Sequence, residues 1–124
     1  MKVQIEMNEA QLQVVMKALN LYSRLKMGQF EELRWELNPF APADKMRELT
    51  KKLKQLIYPN LNERGAYYGI YMDEVGDGQI AYDIYTSLRH DYSWFKNPEG
   101  NYTVEYDRPL HVSKEPLPNV KIEE

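Results

Sequence analysis

The chain has no cysteine. That excludes disulfide staples, thiol catalysis and thiolate metal ligands, and it fits a reducing compartment. Histidine is scarce too: His90 and His111 are the two present, far apart in the chain. No His-x-x-x-His or Glu-x-x-His pair exists, so the spacing offers no metal site and no cofactor is expected. No apolar run approaches the ~18 residues that cross a bilayer, and Met1–Glu6 lacks a secretory apolar core, so no membrane partner is expected. No Gly-x-Ser-x-Gly elbow occurs. Gly76-Asp77-Gly78 is too short and too acidic to cradle a phosphate. Neither sign of charge dominates, with 16 Lys and Arg against 19 Asp and Glu and a net charge of -3. That balance argues against a general nucleic-acid binder.

What is present suits one domain of 124 residues, long enough to bury a core. Residues 2–7 alternate, with Val3, Ile5 and Met7 on one face, and read as a half-buried strand. Asn8 with Gln11 offers a capping box for a long helix. Two apolar stripes run along that helix, and only Gly28 interrupts it before Leu37, which predicts a bend or break there. Pro42 starts a second helix, to about Ile57, carrying Met46, Leu49, Leu53 and Leu56. Its five cations against two acids make it locally +3, which leaves -6 elsewhere. Residues 58–78 are rich in turn formers, with a short extended piece at 66–71. A third helix is predicted over 78–95. Residues 101–107 alternate as a second strand, with Tyr102, Val104 and Tyr106 on one face. The expected architecture is therefore α+β: three helices packed on a small antiparallel sheet in a single domain, residues 1–107. An extended, Pro-containing tail follows over 108–124. The first helix carries more apolar surface than one small domain covers, so a homodimer is expected.

The compositional surplus is tyrosine, ten residues, beside two Trp and three Phe. Tyr82, Tyr85, Arg89 and Ser93 follow i, i+3, i+7, i+11 spacing and make one stripe on the third helix. Tyr22, Arg24 and Gln29 lie near the break of the first, and Trp94 joins the pool. Aromatic rings stack on bases or apolar surface, and a guanidinium grips carboxylate or phosphate with two donors. Tyr22, Arg24, Gln29, Tyr82, Tyr85, Arg89 and Trp94 are therefore the candidate ligand-binding residues; no catalytic residue is assigned. Glu31 and Glu32 read as helix-surface acids, with Arg34 as the i,i+3 partner of Glu31. His90 and Asp91, as helical neighbours about 100° apart, are not expected to pair.

Two segments carry a resemblance. Ala18-Leu19-Asn20-Leu21-Tyr22-Ser23-Arg24-Leu25-Lys26-Met27-Gly28-Gln29-Phe30-Glu31-Glu32 is similar to a segment of small accessory proteins encoded by bacteriophages and prophages. So is Ala81-Tyr82-Asp83-Ile84-Tyr85-Thr86-Ser87-Leu88-Arg89-His90, followed by Trp94 and Asn97-Pro98-Glu99-Gly100. The similarity runs over most of the chain and carries no catalytic signature. It implies an accessory phage gene, of the kind that encodes inhibitors or sponges aimed at host defence. The leading expectation is a non-enzymatic protein that sequesters a small anionic, nucleotide-like ligand. Alternatives are an inhibitor that docks an aromatic surface on a host protein, and a small enzyme around Glu31, Glu32 and His90.

Overall fold

Asn8 begins the first helix as its spacing predicts. In the computed structural model its side chain accepts the Gln11 N–H at 2.9 Å, and the Gln11 side chain accepts the Asn8 N–H at 2.9 Å. The structure describes every residue except Asn38, Arg64 and residues 101–107. Four α-helices are present among the described residues: α1 (Glu9–Lys26), α2 (Glu32–Leu37), α3 (Ala43–Ile57) and α4 (Gly78–Lys96). A 3-10 turn at Asp73–Val75 leads into α4.

No strand occurs among the described residues, so the α+β expectation is corrected to an all-helical one. Residues 2–7 alternate but pair with no strand among the described residues; Val3 is 66% and Ile5 73% exposed. Alternation prepares a strand face, yet a strand forms only against a partner. The expected partner, 101–107, lies outside the described residues. Residues 66–71 fail for a related reason. They make one backbone bond of interest, Tyr68 N–H to Met27 O at 2.8 Å, rather than a ladder.

The long first helix ends at Gly28. Met27 closes α1, and Gly28 turns the chain at φ +88°. An L-side chain is disfavoured there, and a Cβ would stand 2.6 Å from Leu61 Cδ1. Gly28→Ala should therefore cost about 1–2 kcal/mol in urea unfolding. Gly65→Ala (φ +76°), with nothing within 4 Å, isolates the conformational part and should cost less. Equal losses would show that Leu61 simply moves aside.

Helices α1 and α4 pack antiparallel, and polar clamps mark both ends. At one end Tyr92 donates to Glu9 Oε1 at 2.5 Å while Lys96 Nζ lies 3.1 Å from the same carboxylate. At the other, Tyr22 donates to Asp77 Oδ1 at 2.7 Å and Lys26 approaches it at 3.8 Å. Between them the buried residues of α4, Asp83 apart, are small: Gly78, Ala81, Thr86 and Ser87, with Ser23 of α1 fully buried. Small side chains let the axes come close. The apolar core is correspondingly thin, namely Met16, Met27, Phe30, Val75 and Ala81.

The Tyr92 hydroxyl and the Lys96 ammonium hold the Glu9 carboxyl below the ordinary carboxylate range. In turn Glu9 raises Tyr92 and Lys96, and Asp77 raises Tyr22. A depressed acid stabilises the fold above its unfolded value, and that contribution is lost as pH falls through its folded one. The raised groups act below their unfolded values, about 10 for these types, and lose effect as pH rises through the folded ones. Stability should thus hold a plateau and fall at both ends. Glu9→Gln should flatten the acid limb in urea midpoints measured across pH; an unchanged acid limb would refute the clamp.

Helix α3 joins this pair through aromatic rings. Phe30 stacks on Tyr58 at 5.9 Å, and Tyr58 meets Tyr68 edge-on at 5.6 Å. The Lys54 ammonium also donates to Ala66 O. The rest of α3 stands away, so its apolar stripe is partly open: Leu49 is 58% and Leu56 81% exposed.

Candidate functional site

The gap between the end of α1 and α3 is a cleft of about 1080 Å³. On the α1 side it is lined by Arg24 and, just past the end of that helix, Gln29; its α3 wall contains Arg47, Lys51 and Lys54. Those three α3 cations follow i, i+4, i+7 spacing and share one helical face. Arg34 of α2 lines it as well, held 4.6 Å over its neighbour Trp35. Four glutamates, Glu31, Glu32, Glu48 and Glu63, share the lining with these five cations, so the cleft is locally +1 on a chain of net -3.

Arg24 is the fixed charge of the site. Its Nη1 donates to Gln29 Oε1 at 3.0 Å, and its Nε to Asn20 Oδ1 at 3.4 Å. Both acceptors are neutral amides, which orient the guanidinium without cancelling its charge. Among the described residues no cation of the cleft forms an ion pair with a carboxylate. Glu48 instead pairs outward with Lys52 at 3.5 Å. Tyr67, 53% exposed, supplies a ring at the rim.

The other expected residues stand elsewhere. Tyr22 is engaged at the α1–α4 clamp. Tyr82, Tyr85, Arg89 and Trp94 lie on α4 and none lines the cleft; Tyr82 and Tyr85 form a tilted ring pair at 6.2 Å. The structure thus brings Arg24 and Gln29 together and leaves the α4 stripe apart. Arg47, Lys51 and Lys54 are not among the expected site residues; the sequence marks them only through the local +3 of that helix.

Glu31 and Glu32 line the cleft, but His90 does not. The expectation that His90 and Asp91 do not pair is corrected: Nδ1 meets Asp91 Oδ1 at 2.8 Å. Side-chain rotation closes the angle that helical position opens. No group of three or more metal-ligating side chains occurs among the described residues. Among them, too, no helix is long and apolar enough to cross a membrane.

A second built feature was not visible in sequence. Asp83 of α4 is 2% exposed, and its carboxylate holds the C-terminal tail. It accepts Val112 N–H at 2.6 Å, Ser113 N–H at 3.0 Å and the Ser113 hydroxyl at 2.5 Å. Thr86 adds a bond to Leu110 O at 3.3 Å. No protein-family model matches this chain, and neither a curated protein nor a solved structure matches it significantly.

Proposed function

We propose that this protein captures a small anionic, phosphate-bearing ligand in the cleft between α1 and α3. The observation that carries this reading is Arg24, oriented on two neutral amide oxygens at the cleft wall and in no ion pair with a carboxylate among the described residues. A guanidinium so held presents its remaining donors to a planar or tetrahedral anion. Arg47 and Lys51 line the same space from α3 without ion-pair partners among the described residues. Tyr67 offers a face for a base or other flat group. The volume suits a nucleotide. Such capture, in the cytoplasm of a bacterial host, would lower the free concentration of the ligand, which agrees with the resemblance to phage accessory proteins.

The test is calorimetric titration of the full chain with inorganic pyrophosphate and with ADP at low ionic strength. Saturable binding of either, weakened by Arg24→Ala and by salt, supports the reading. No heat or stabilisation with either probe overturns it.

A further inference from the structure

Residues 1–7 form an exposed segment with a strand's pattern and no strand partner among the described residues. Met1, Val3, Ile5 and Met7 point their apolar side chains into solvent at 119%, 66%, 73% and 38% exposure. Among the described residues, nothing in the segment makes a hydrogen bond or ion pair. The capping box at Asn8 and Gln11 stops the helix from absorbing it. Its base is anchored, because Glu9 is clamped by Tyr92 and Lys96. An unpaired edge bearing alternate apolar side chains is a template for another strand.

We propose that the partner is the same segment of a second copy, running antiparallel about a two-fold axis at Gln4. The segment is complementary to itself in that register. Lys2 faces Glu6, Val3 faces Ile5, Met1 faces Met7 and Gln4 faces its own copy. Each ion pair occurs twice, once on either side of the axis. A slip of one residue sets every apolar side chain against a polar one. A slip of two in either direction keeps the faces but loses both Lys2–Glu6 pairs. Parallel pairing in register stacks Lys2 on Lys2 and Glu6 on Glu6, which is repulsive. The molecule has surface to spare for such a contact. It exposes 9525 Å², where a compact chain of 14.7 kDa exposes about 6900 Å². A two-stranded ribbon is weak alone, so the dimer should be reversible and concentration-dependent.

The absence of cysteine makes the register directly testable in the full chain. Gln4→Cys should oxidise to a disulfide dimer, because directly opposed residues lie about 4.5–5.5 Å apart between Cα atoms, within disulfide reach. Lys2→Cys and Glu6→Cys should each stay uncrosslinked, since like positions are then ~13 Å apart. Mixed together they should form the hetero-disulfide. Independently, Lys2→Glu should weaken dimerisation in analytical ultracentrifugation by about tenfold. An equimolar mixture with Glu6→Lys should recover it as a heterodimer. A chain that stays monomeric at millimolar concentration overturns the proposal. So does crosslinking by Lys2→Cys as efficient as that by Gln4→Cys. A segment that adds to another protein's sheet edge would leave Gln4→Cys monomeric when pure, which also overturns it.

Discussion

Asp83→Ala should release the tail from α4 and lower the unfolding free energy by about 2–4 kcal/mol, less than the sum of its three charge-assisted hydrogen bonds because the freed donors can turn to water. The carboxylate is buried and gathers three donors from two consecutive tail residues. Removing it leaves the two amides and the hydroxyl either unpaired or exposed to water. The first is costly, and the second requires the tail to lift away. Hydrogen exchange separates these outcomes by residue. The amides of Val112 and Ser113 should be protected in the parent chain and exchange rapidly in Asp83→Ala. Asp83→Asn keeps one acceptor oxygen and should fall between. Ser113→Ala removes one donor of three and should leave both amides largely protected. Unchanged protection of Val112 and Ser113 in Asp83→Ala would show that the tail is held by other contacts.

Arg24→Ala should reduce affinity for pyrophosphate or ADP by about 10–100-fold, the range expected for a lost charge-assisted hydrogen bond of about 1.5–3 kcal/mol. The fold should survive, because Arg24 is only half-buried and its partners Asn20 and Gln29 are neutral side chains. Unlike alanine, lysine keeps the charge but has no planar fork to span both amides, so Arg24→Lys should restore a part of the affinity. Lys51→Ala should cost less than Arg24→Ala, since Lys51 is exposed and has no orienting partner among the described residues. The Arg24→Ala titration should also show a shallower salt dependence than the parent. Parent-like affinity in Arg24→Ala would remove the cleft from consideration.

Helix positions were largely legible in the sequence. Asn8 and Gln11, Pro42, and the glycine at 28 are local signals, and capping, fixed φ and positive φ act through neighbouring backbone alone. The sheet was not. Alternation at 2–7 is real, but a strand needs hydrogen-bond partners from elsewhere, and none of the described residues supplies them. Half of the candidate site was legible for the same kind of reason. Arg24 and Gln29 sit across one turn, so their contact follows from spacing near a helix end. The α3 cations join them through the Phe30–Tyr58–Tyr68 rings, which depend on residues far apart in the chain. The α4 stripe shares residue types with a recognition surface, yet helical spacing does not state which neighbouring helix lies opposite.

The tyrosines show the same division. Tyr22 and Tyr92 reach carboxylates 55 and 83 residues away, and Tyr58 and Tyr68 hold α3 to the end of α1. Asp83 is the plainest case. From sequence it is one acid among 19, with no motif around it. Burial between α4 and the tail turns it into the tail's anchor, because a charge removed from water must gather donors from whatever chain segment is brought against it. By itself the sequence determined the absence of thiol chemistry, the helix boundaries, the break at Gly28 and the +3 of α3, all consequences of composition or of neighbours within a turn or two. Tertiary structure alone decided which cations share a cleft, that no sheet forms among the described residues, and which buried acid holds the tail. Those depend on long-range packing, where a residue's partner is set by the fold rather than by its spacing.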